Sequence, residues 1–197
     1  RGFGREIFRA LENRGHTVLA VNRGGGRDGA HNFSCDLSDL TQCESVAREI
    51  HQAHPDLHAV FLSAGVLGPL APASLVPVSE LEKVLTINFL SAKILCDFFI
   101  NNSGALDFLH ISSGAALTTY ENWGAYSISK VALLRQFDFY RVEHPERAFY
   151  SVSPGPLATD MNRQIREQPE HGLPWESKFR DPSIVGTPRS AAMKLVK

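Results

Sequence analysis

The chain has 197 residues, 43% hydrophobic and 21% charged, enough for one well-buried globular domain spanning 1–197 and short for two. Its formal net charge is −1 with no basic run, which excludes the electrostatic footprint of a nucleic-acid binder or of a protein held on an anionic membrane. Cys35, Cys43 and Cys96 are odd in number and lack C-x-x-C spacing, which argues against a disulfide framework and for a reducing, cytoplasmic compartment.

The start carries no apolar signal core, and no uninterrupted apolar run approaches the roughly 20 residues of a membrane span. The opening Arg1-Gly2-Phe3-Gly4 and the closing Met193-Lys194-Leu195-Val196-Lys197 both read as interiors of larger elements, so a fragment incomplete at both ends is expected. From Gly4 to Arg14, apolar residues at Ile7, Phe8 and Leu11 keep helical spacing, and Gly15 stops them. Thr17 to Val21 is apolar and partly β-branched, a strand ending at Asn22-Arg23 before the turn Gly24-Gly25-Gly26. A second short strand is expected at His31 to Ser34. Thr41-x-x-Glu44 reads as a capping box for a helix that finishes before Pro55. Leu57 to Leu62, bounded by Asp56 and Ser63-Ala64-Gly65, has the pattern of a buried parallel strand.

After a loop rich in proline and glycine, Ser79-x-x-Glu82 caps a long helix through Asn88 to about Phe99, ended by Asn101-Asn102-Ser103-Gly104. Phe108 to Ile111 is a strand delivering Ser112-Ser113, Ala125 to Arg141 a helix, and Ala148 to Val152 a strand delivering Pro154-Gly155. The mixed charges of Arg163 to Glu170 read as an exposed mobile flap, and Thr187-Pro188 starts a last helix. Alternating strands and helices indicate parallel pairing through right-handed crossovers. The expected fold is a doubly wound α/β sheet with ligands beyond the carboxyl ends of its strands, where Gly65, Ser113 and Gly155 fall.

Tyr126 and Lys130 stand four apart on a predicted helix and so project from one face. An ammonium beside a phenol favours the phenolate and brings an ordinary pKa of about 10 toward the working range, which would make Tyr126 a general acid or base. A surface pair on an amphipathic helix gives the same spacing. Arg23 falls at the end of its strand. In dinucleotide folds an acidic residue there holds the ribose hydroxyl of NAD, whereas arginine accommodates the extra phosphate of NADP. NADP(H) is therefore the expected cofactor, with Arg1 as a second cation; the alternative is a solvated arginine beside a glycine turn. His51-x-x-His54-x-x-x-His58 is interrupted by Pro55, and no carboxylate or cysteine completes a ligand set, so a solvated helix end is expected and no metal.

The ordered set Gly2-x-Gly4, Asp36-Leu37, Ala64-Gly65, Asn88, Ser113, Tyr126-x-x-x-Lys130 and Pro154-Gly155-Pro156-Leu157-Ala158-Thr159-Asp160-Met161 resembles the short-chain dehydrogenase/reductase family over essentially the whole chain. Within that family, Arg1-Gly2-Phe3-Gly4-Arg5, Trp123-Gly124-Ala125-Tyr126 and the run from Pro154 to Met161 are most similar to the sepiapterin reductase branch. The resemblance implies a Rossmann-like sheet lacking the family's first and last strands, the first lying upstream of Arg1, so that neighbouring strands expose unpaired edges. It implies that Gly2, Phe3 and Gly4 bring backbone and a helix amino end to the cofactor pyrophosphate. Asp36 and Leu37 would meet the adenine, unless Asp36 caps the next helix, and Ala64-Gly65 would allow close approach, with Ser63 where the family more often has asparagine.

For the reaction the resemblance implies that Ser113, thirteen residues before Tyr126 (126 − 113) and with Ser112 as rival, holds the substrate carbonyl oxygen. Tyr126 donates the proton, and Lys130 lowers the Tyr126 pKa and holds the nicotinamide ribose. Asn88 joins a water relay, or else faces a neighbouring backbone group. Pro154, Leu157, Thr159 and Met161 lie along the nicotinamide. Gly114, Trp123 and Gly155 stand beside the substrate, although Trp123 has packing as its alternative. The implied function is reduction of a small-molecule ketone, first a ketopterin of tetrahydrobiopterin biosynthesis, second the range of a carbonyl or diketone reductase. A nucleotide-binding fragment without turnover is the reading from another class. The family also implies a homodimer through the helices after Asn88 and Tyr126.

Overall fold

The computed structural model describes residues 2–24, 31–168 and 173–197, so Arg1, Gly25, Gly26 and Glu170 lie outside the described residues. In chain order the elements are α1 (Gly2–Glu12), β1 (Ala20–Asn22), β2 (Asn32–Ser34), α2 (Leu40–Ala53), β3 (Ala59–Leu62), α3 (Val78–Leu85), α4 (Ser91–Asn102), β4 (Asp107–Ile111), α5 (Gly124–Glu143), β5 (Phe149–Val152), α6 (Asp160–Glu167), α7 (Glu176–Arg180) and α8 (Pro188–Leu195). They group into two compact units, Leu19–Val152 and Arg1–Val18 with Ser153–Lys197.

In the larger unit every strand pair is parallel, as alternating elements require, but the strands form two sheets rather than one: β1 with β2, and β3-β4-β5. Among the described residues no strand pairs with the second edge of β1 or of β3, and Val21 stands 38% exposed at that edge. The core is aromatic and aliphatic. Phe108 of β4 stacks on Phe149 of β5 at 5.0 Å, and Phe137 of α5 meets Phe149 edge-on at 5.8 Å. Cys43, Val46, Ala47 and Ile50 recur at helical spacing along the buried face of α2, which packs on α4. Tyr140 of α5 donates its hydroxyl to Asp97 of α4, which also pairs with Lys93.

Two helix starts differ from the sequence reading. α2 is capped by Asp39, whose Oδ1 accepts from the Thr41 and Gln42 amides at 3.0 and 3.2 Å. The cap sits two residues ahead of Thr41 because a short carboxylate reaches both amides at once. α3 begins after Pro77 with no side-chain cap, the Pro77 carbonyl accepting from the Glu80 and Leu81 amides, so Ser79 falls inside the first turn. α3 and α4 join through a wide turn at Thr86–Leu90 in which the Ser91 amide reaches back to the Thr86 carbonyl. The resulting rod, Val78–Asn102, is long and apolar enough by length and composition to cross a membrane, a length that charges at Glu80, Glu82 and Lys83 hide from run counting. Here its inner side, Val84, Asn88, Ser91, Ala92, Cys96, Phe99 and Ile100, is buried in the protein.

In the smaller unit α1 packs on α8, burying Phe3, Ile7, Ala10 and Ala192. Leu157 pairs with Gly186, which ties the segment after β5 in place. The flap expected from Arg163 is instead helix α6, as far as Glu167. Thr159 caps it, accepting from the Asn162 amide at 3.3 Å, and Arg163 pairs with Asp160 one turn back at 3.0 Å, so mixed charge here stabilises a helix instead of signalling mobility. Asn162 of α6 donates to the Phe179 carbonyl of α7 at 3.0 Å.

Candidate active site

The expected helix from Ala125 forms, and its buried face, Tyr126, Ser129, Lys130, Leu133, Phe137 and Tyr140, repeats at steps of three and four. That face brings Tyr126 and Lys130 together. Lys130 is only 5% exposed; its Nζ donates to the Ile111 carbonyl at the end of β4 at 2.9 Å and lies 5.6 Å from the Tyr126 ring centroid. Burial lowers the Lys130 pKa to about 8. The Tyr126 phenol is pushed up by its own burial, with hydrogen bonding to Ser113 pulling the other way. The expectation that Lys130 lowers the phenol is corrected for this geometry: the ammonium bonds a carbonyl and sits over the ring rather than at the oxygen, so desolvation wins.

Ser113 is extended, and its Oγ accepts from the Ala115 amide at 3.2 Å, which caps a short turn at Gly114–Ala116. Its rival Ser112 is fixed in the sheet ladder, its amide donating to the Val152 carbonyl at 2.8 Å, and it is Ser113 that engages the phenol. Asn88, 1% exposed inside the wide turn, accepts from the Val66 amide at 2.8 Å and donates to the Val66 carbonyl at 2.8 Å and to Ser129 Oγ at 2.9 Å. Both Nδ2 hydrogens are thereby spent on tying the segment after β3 to the turn between Tyr126 and Lys130. Ser129 passes the tie on, donating to the Tyr126 carbonyl at 2.7 Å. Gly65 lies against this group: a Cβ there would be 3.4 Å from Asn88 Oδ1 and 3.6 Å from Lys130 Nζ, so anything larger than a methyl would crowd the amine.

A row of rings borders the corner. Trp123 meets Tyr126 edge-on at 5.8 Å and Tyr120 meets Trp123 at 5.5 Å. Trp123 is 2% exposed and its backbone is pinned, with Asn122 left-handed at φ 69 accepting from the Ala71 amide at 3.1 Å. Gly114, next to Ser113, begins the short turn that Ser113 caps. At the ends of β1 and β2, Arg23 is close enough to Asp36 to favour its ionised form, which Ser38 chiefly secures through its amide and hydroxyl. Leu37 packs against the core. Ala64 and Gly65 follow β3 after one intervening residue, Ser63.

In the smaller unit Gly2, Phe3 and Gly4 form the first turn of α1, and the Phe3 side chain is buried, leaving its backbone for any ligand. Gly155, after Pro154, has φ +77, a conformation a side chain would strain. Leu157, Thr159 and Met161 follow, with Thr159 and the first turns of α1 and α8 lining a cavity of about 530 Å³. Arg5, Arg163, Arg166 and Arg189 also line it beside the carboxylates of Glu6 and Asp160, the latter paired with Arg163, so guanidinium groups outnumber carboxylates four to two, a balance that suits the phosphates of a dinucleotide. Arg1 lies outside the described residues.

Sequence reasoning gave none of these four arginines a role toward a ligand, though Arg5 stands in the opening motif and Arg163 starts the expected flap, and it gave none to Val66, Ser129, the Ile111 carbonyl or Tyr120. Exposed arginines on three separate helices share no motif, and backbone partners leave no trace in residue type.

A family model described as short chain dehydrogenase matches residues 1–170. The chain is 30% identical to benzil reductase ((S)-benzoin forming) of Saccharomyces cerevisiae over 67% of this chain and 54% of that protein. It is 27% identical to benzil reductase ((S)-benzoin forming) of Bacillus subtilis, over 96% and 84%. Sepiapterin reductase of Bos taurus is 28% identical, over 73% and 53%. The chain thus spans about half the length of the yeast and bovine relatives. Among solved structures, the KRED1-Pglu enzyme superposes with a TM-score of 0.87 at 23% identity, covering 99% of this chain and 89% of that one. A short chain dehydrogenase from Shigella flexneri complexed with NADP gives 0.79 at 22%, covering 95% and 82%. Both share the Rossmann-like fold.

Proposed function

The chain belongs to the short chain dehydrogenase family, and on that premise we propose that it is an NADP(H)-dependent ketone reductase in which Tyr126 is the proton donor. The observation that carries the reading is the meeting of Ser113, Tyr126 and Lys130 in one buried corner. A phenol raised by burial stays protonated at neutral pH and so is loaded as an acid. The Ser113 hydroxyl donates to the same ketone oxygen and fixes its position between the two groups. Reduced nicotinamide, when bound, supplies the hydride. As the proton leaves, the phenolate is stabilised by the Ser113 hydroxyl, while Lys130, held at the Ile111 carbonyl, would hold the nicotinamide ribose. Asn88 acts by holding the turn that carries both side chains. Positioned acid catalysis of this kind is worth about 10²–10⁴ in rate.

Toward the cofactor, Arg23 would take the extra phosphate of NADP and Asp36 with Leu37 the adenine, while Ala64 and Gly65 admit it closely. Gly2, Phe3, Gly4 and Thr159, with Arg1, would hold phosphates, and Pro154, Leu157 and Met161 the nicotinamide. For the substrate, a diketone takes precedence over a ketopterin, because the Bacillus subtilis benzil reductase is matched over 84% of its length and the bovine sepiapterin reductase over 53%. Ile128, Val131, Phe139 and Val142 recur at helical spacing on the exposed side of α5, which supports a homodimer through that helix. The protein is read as cytoplasmic, with no nucleic-acid partner.

The test follows absorbance of NADPH and of NADH on adding benzil or sepiapterin. The expected result is oxidation of NADPH with benzil, reduced at least roughly 100-fold in Tyr126→Phe. Nucleotide binding without turnover of either ketone overturns the reading, and turnover of sepiapterin alone reverses the order of substrates. Light scattering checks the dimer.

A further inference from the structure

We infer that Ser91 is a positioning residue whose hydroxyl holds open the wide turn between α3 and α4 and so aims Asn88 at the helix carrying Tyr126 and Lys130; the inference rests on the ketone-reductase reading and deepens it. In an unbroken α-helix the Ser91 amide would donate to the carbonyl four residues back, that of Ile87. Here it reaches one residue further, to the Thr86 carbonyl. The Ser91 hydroxyl takes the place the amide leaves, donating to the Ile87 carbonyl at 2.8 Å. A serine hydroxyl on the carbonyl four back bends a helix, and at this point it satisfies an acceptor that widening the turn deprives of its amide. Ser91 is 1% exposed, so the bond is shielded from competing water.

The width of the turn decides where Asn88 points. Val84, Asn88, Ala92, Cys96 and Ile100 are all buried, at steps of four. At 3.6 residues per turn each such step overshoots by about 40°, so a plain helix would carry this row toward its opposite side before Ile100. A turn holding more residues cancels part of that drift and keeps Asn88 on the side of Val66 and Ser129. From Asn88 the hold passes to Ser129 Oγ at 2.9 Å, and from the Ser129 hydroxyl to the Tyr126 carbonyl at 2.7 Å. Ser91 therefore acts on Tyr126 through Asn88 and Ser129. Without the hydroxyl, the amide at position 91 is drawn back to the Ile87 carbonyl, the turn tightens, and Asn88 is pulled off its partners. The phenol then shifts relative to the Ser113 hydroxyl, a displacement to which proton and hydride transfer are steeply sensitive.

The test compares wild type, Ser91→Ala and Ser91→Cys with a control, Ser45→Ala, whose hydroxyl makes the same bond four residues back, to the Thr41 carbonyl at 2.9 Å, inside the regular helix α2. Three quantities are read: the single-turnover rate of NADPH oxidation by benzil together with its KM, the NADP⁺ Kd by calorimetry, and solvent exchange of the Asn88 side-chain amide by NMR. Ser91→Ala should slow the single-turnover rate about tenfold while KM and Kd stay within about twofold, the mark of misplaced chemistry and intact binding. It should also speed Asn88 side-chain exchange about tenfold, as loss of a hydrogen bond does. Ser45→Ala should change none of these. Ser91→Cys, close in size and a weaker donor, should fall between wild type and Ser91→Ala, and it carries the test should Ser91→Ala not fold. A single-turnover rate within about twofold of wild type overturns the inference. So does a slowed rate with Asn88 exchange unchanged, or a KM and Kd that rise alongside it, as general loosening would give. If wild type turns over no ketone, the reductase reading fails, and Asn88 exchange alone decides whether Ser91 places Asn88.

Discussion

Lys130 and Arg166 are both cations at candidate binding surfaces, and they are built in opposite ways. Lys130 is 5% exposed, bonded to the Ile111 carbonyl, and desolvated enough to lower its pKa to about 8. Arg166, like Arg5 and Arg189, is exposed at the rim of the cavity shared by α1, α6 and α8. A buried charge costs stability unless it is fixed and hydrogen-bonded, whereas an exposed one costs little and attracts anions over a distance that salt shortens. The comparison teaches that the Tyr126 corner is held rigid at the expense of stability, as chemistry needs, while the arginine cavity is loosely held, as phosphate capture permits. Each side of that contrast can be broken by experiment.

The largest effect is expected at Asn88. Replacing it with alanine removes three hydrogen bonds and strips the partly buried Val66 amide and carbonyl of their Asn88 partner. At roughly 1 kcal/mol per lost bond and a further 1–3 for stranded groups, Asn88→Ala should destabilise the protein by about 4 kcal/mol, read from the urea midpoint. Arg166→Gln should stay within about 0.5 kcal/mol, as exposed substitutions do. Similar losses in the two variants would dissolve the contrast.

Next comes pH. His110, fully buried on β4 with its ring 4.5 Å from that of Phe137, has its pKa lowered to about 4 by burial first and then by the charges of Lys130 and Arg141. Between pH 6.5 and 4 the unfolded chain binds a proton that the folded one refuses, so stability rises with pH across that window and is lost as pH falls through it, by about 3 kcal/mol in all. Lys130 has the same sign in another window: its folded pKa of about 8 lies below the ordinary lysine value of 10.5, so stability climbs again between those values. Urea titrations across both windows check this, with His110→Leu flattening the acid limb and Lys130→Met the alkaline one. A wild-type profile without slope in either window would mean that the corner is wetter than its burial implies.

The corner was legible in the sequence to the extent that it lies along single elements. Tyr126 and Lys130 meet because four residues make one helical turn, and Ser113 joins them because a strand ends where its apolar run ends. The same reasoning started the last helix at Thr187-Pro188, and there the Thr187 hydroxyl accepts from the Ser190 amide at 3.2 Å as the cap of α8. It failed where tertiary partners decide. Lys130 was read as an electrostatic partner of the phenol, but the Ile111 carbonyl, invisible in residue type, captures it. Asn88 had two readings in the sequence, and the Val66 and Ser129 contacts show its side chain engaged in the structural one. The wide turn at Thr86–Leu90 has no signature in a run that is helical on both sides. Charge periodicity alone could not separate a flap from α6, because the deciding feature is one threonine hydroxyl ahead of the first turn.

That hydroxyl gives the smallest effect and tests the loose side of the comparison. Thr159 Oγ1 accepts from the Asn162 amide and donates to the Leu157 carbonyl, both at 3.3 Å, so it fixes where α6 begins and how Asp160 and Arg163 face the cavity. Losing a threonine cap costs about 1 kcal/mol, and because the cap serves one short helix the loss should be local. Thr159→Ala should therefore speed amide hydrogen exchange across Asp160–Glu167 about fivefold, the kinetic equivalent of that energy, with Thr159→Ser restoring most of it. Exchange in α5 should not change. If it accelerates with α6, the two regions unfold as one cooperative unit, and the rigidity assigned to the Tyr126 corner alone belongs to the whole chain.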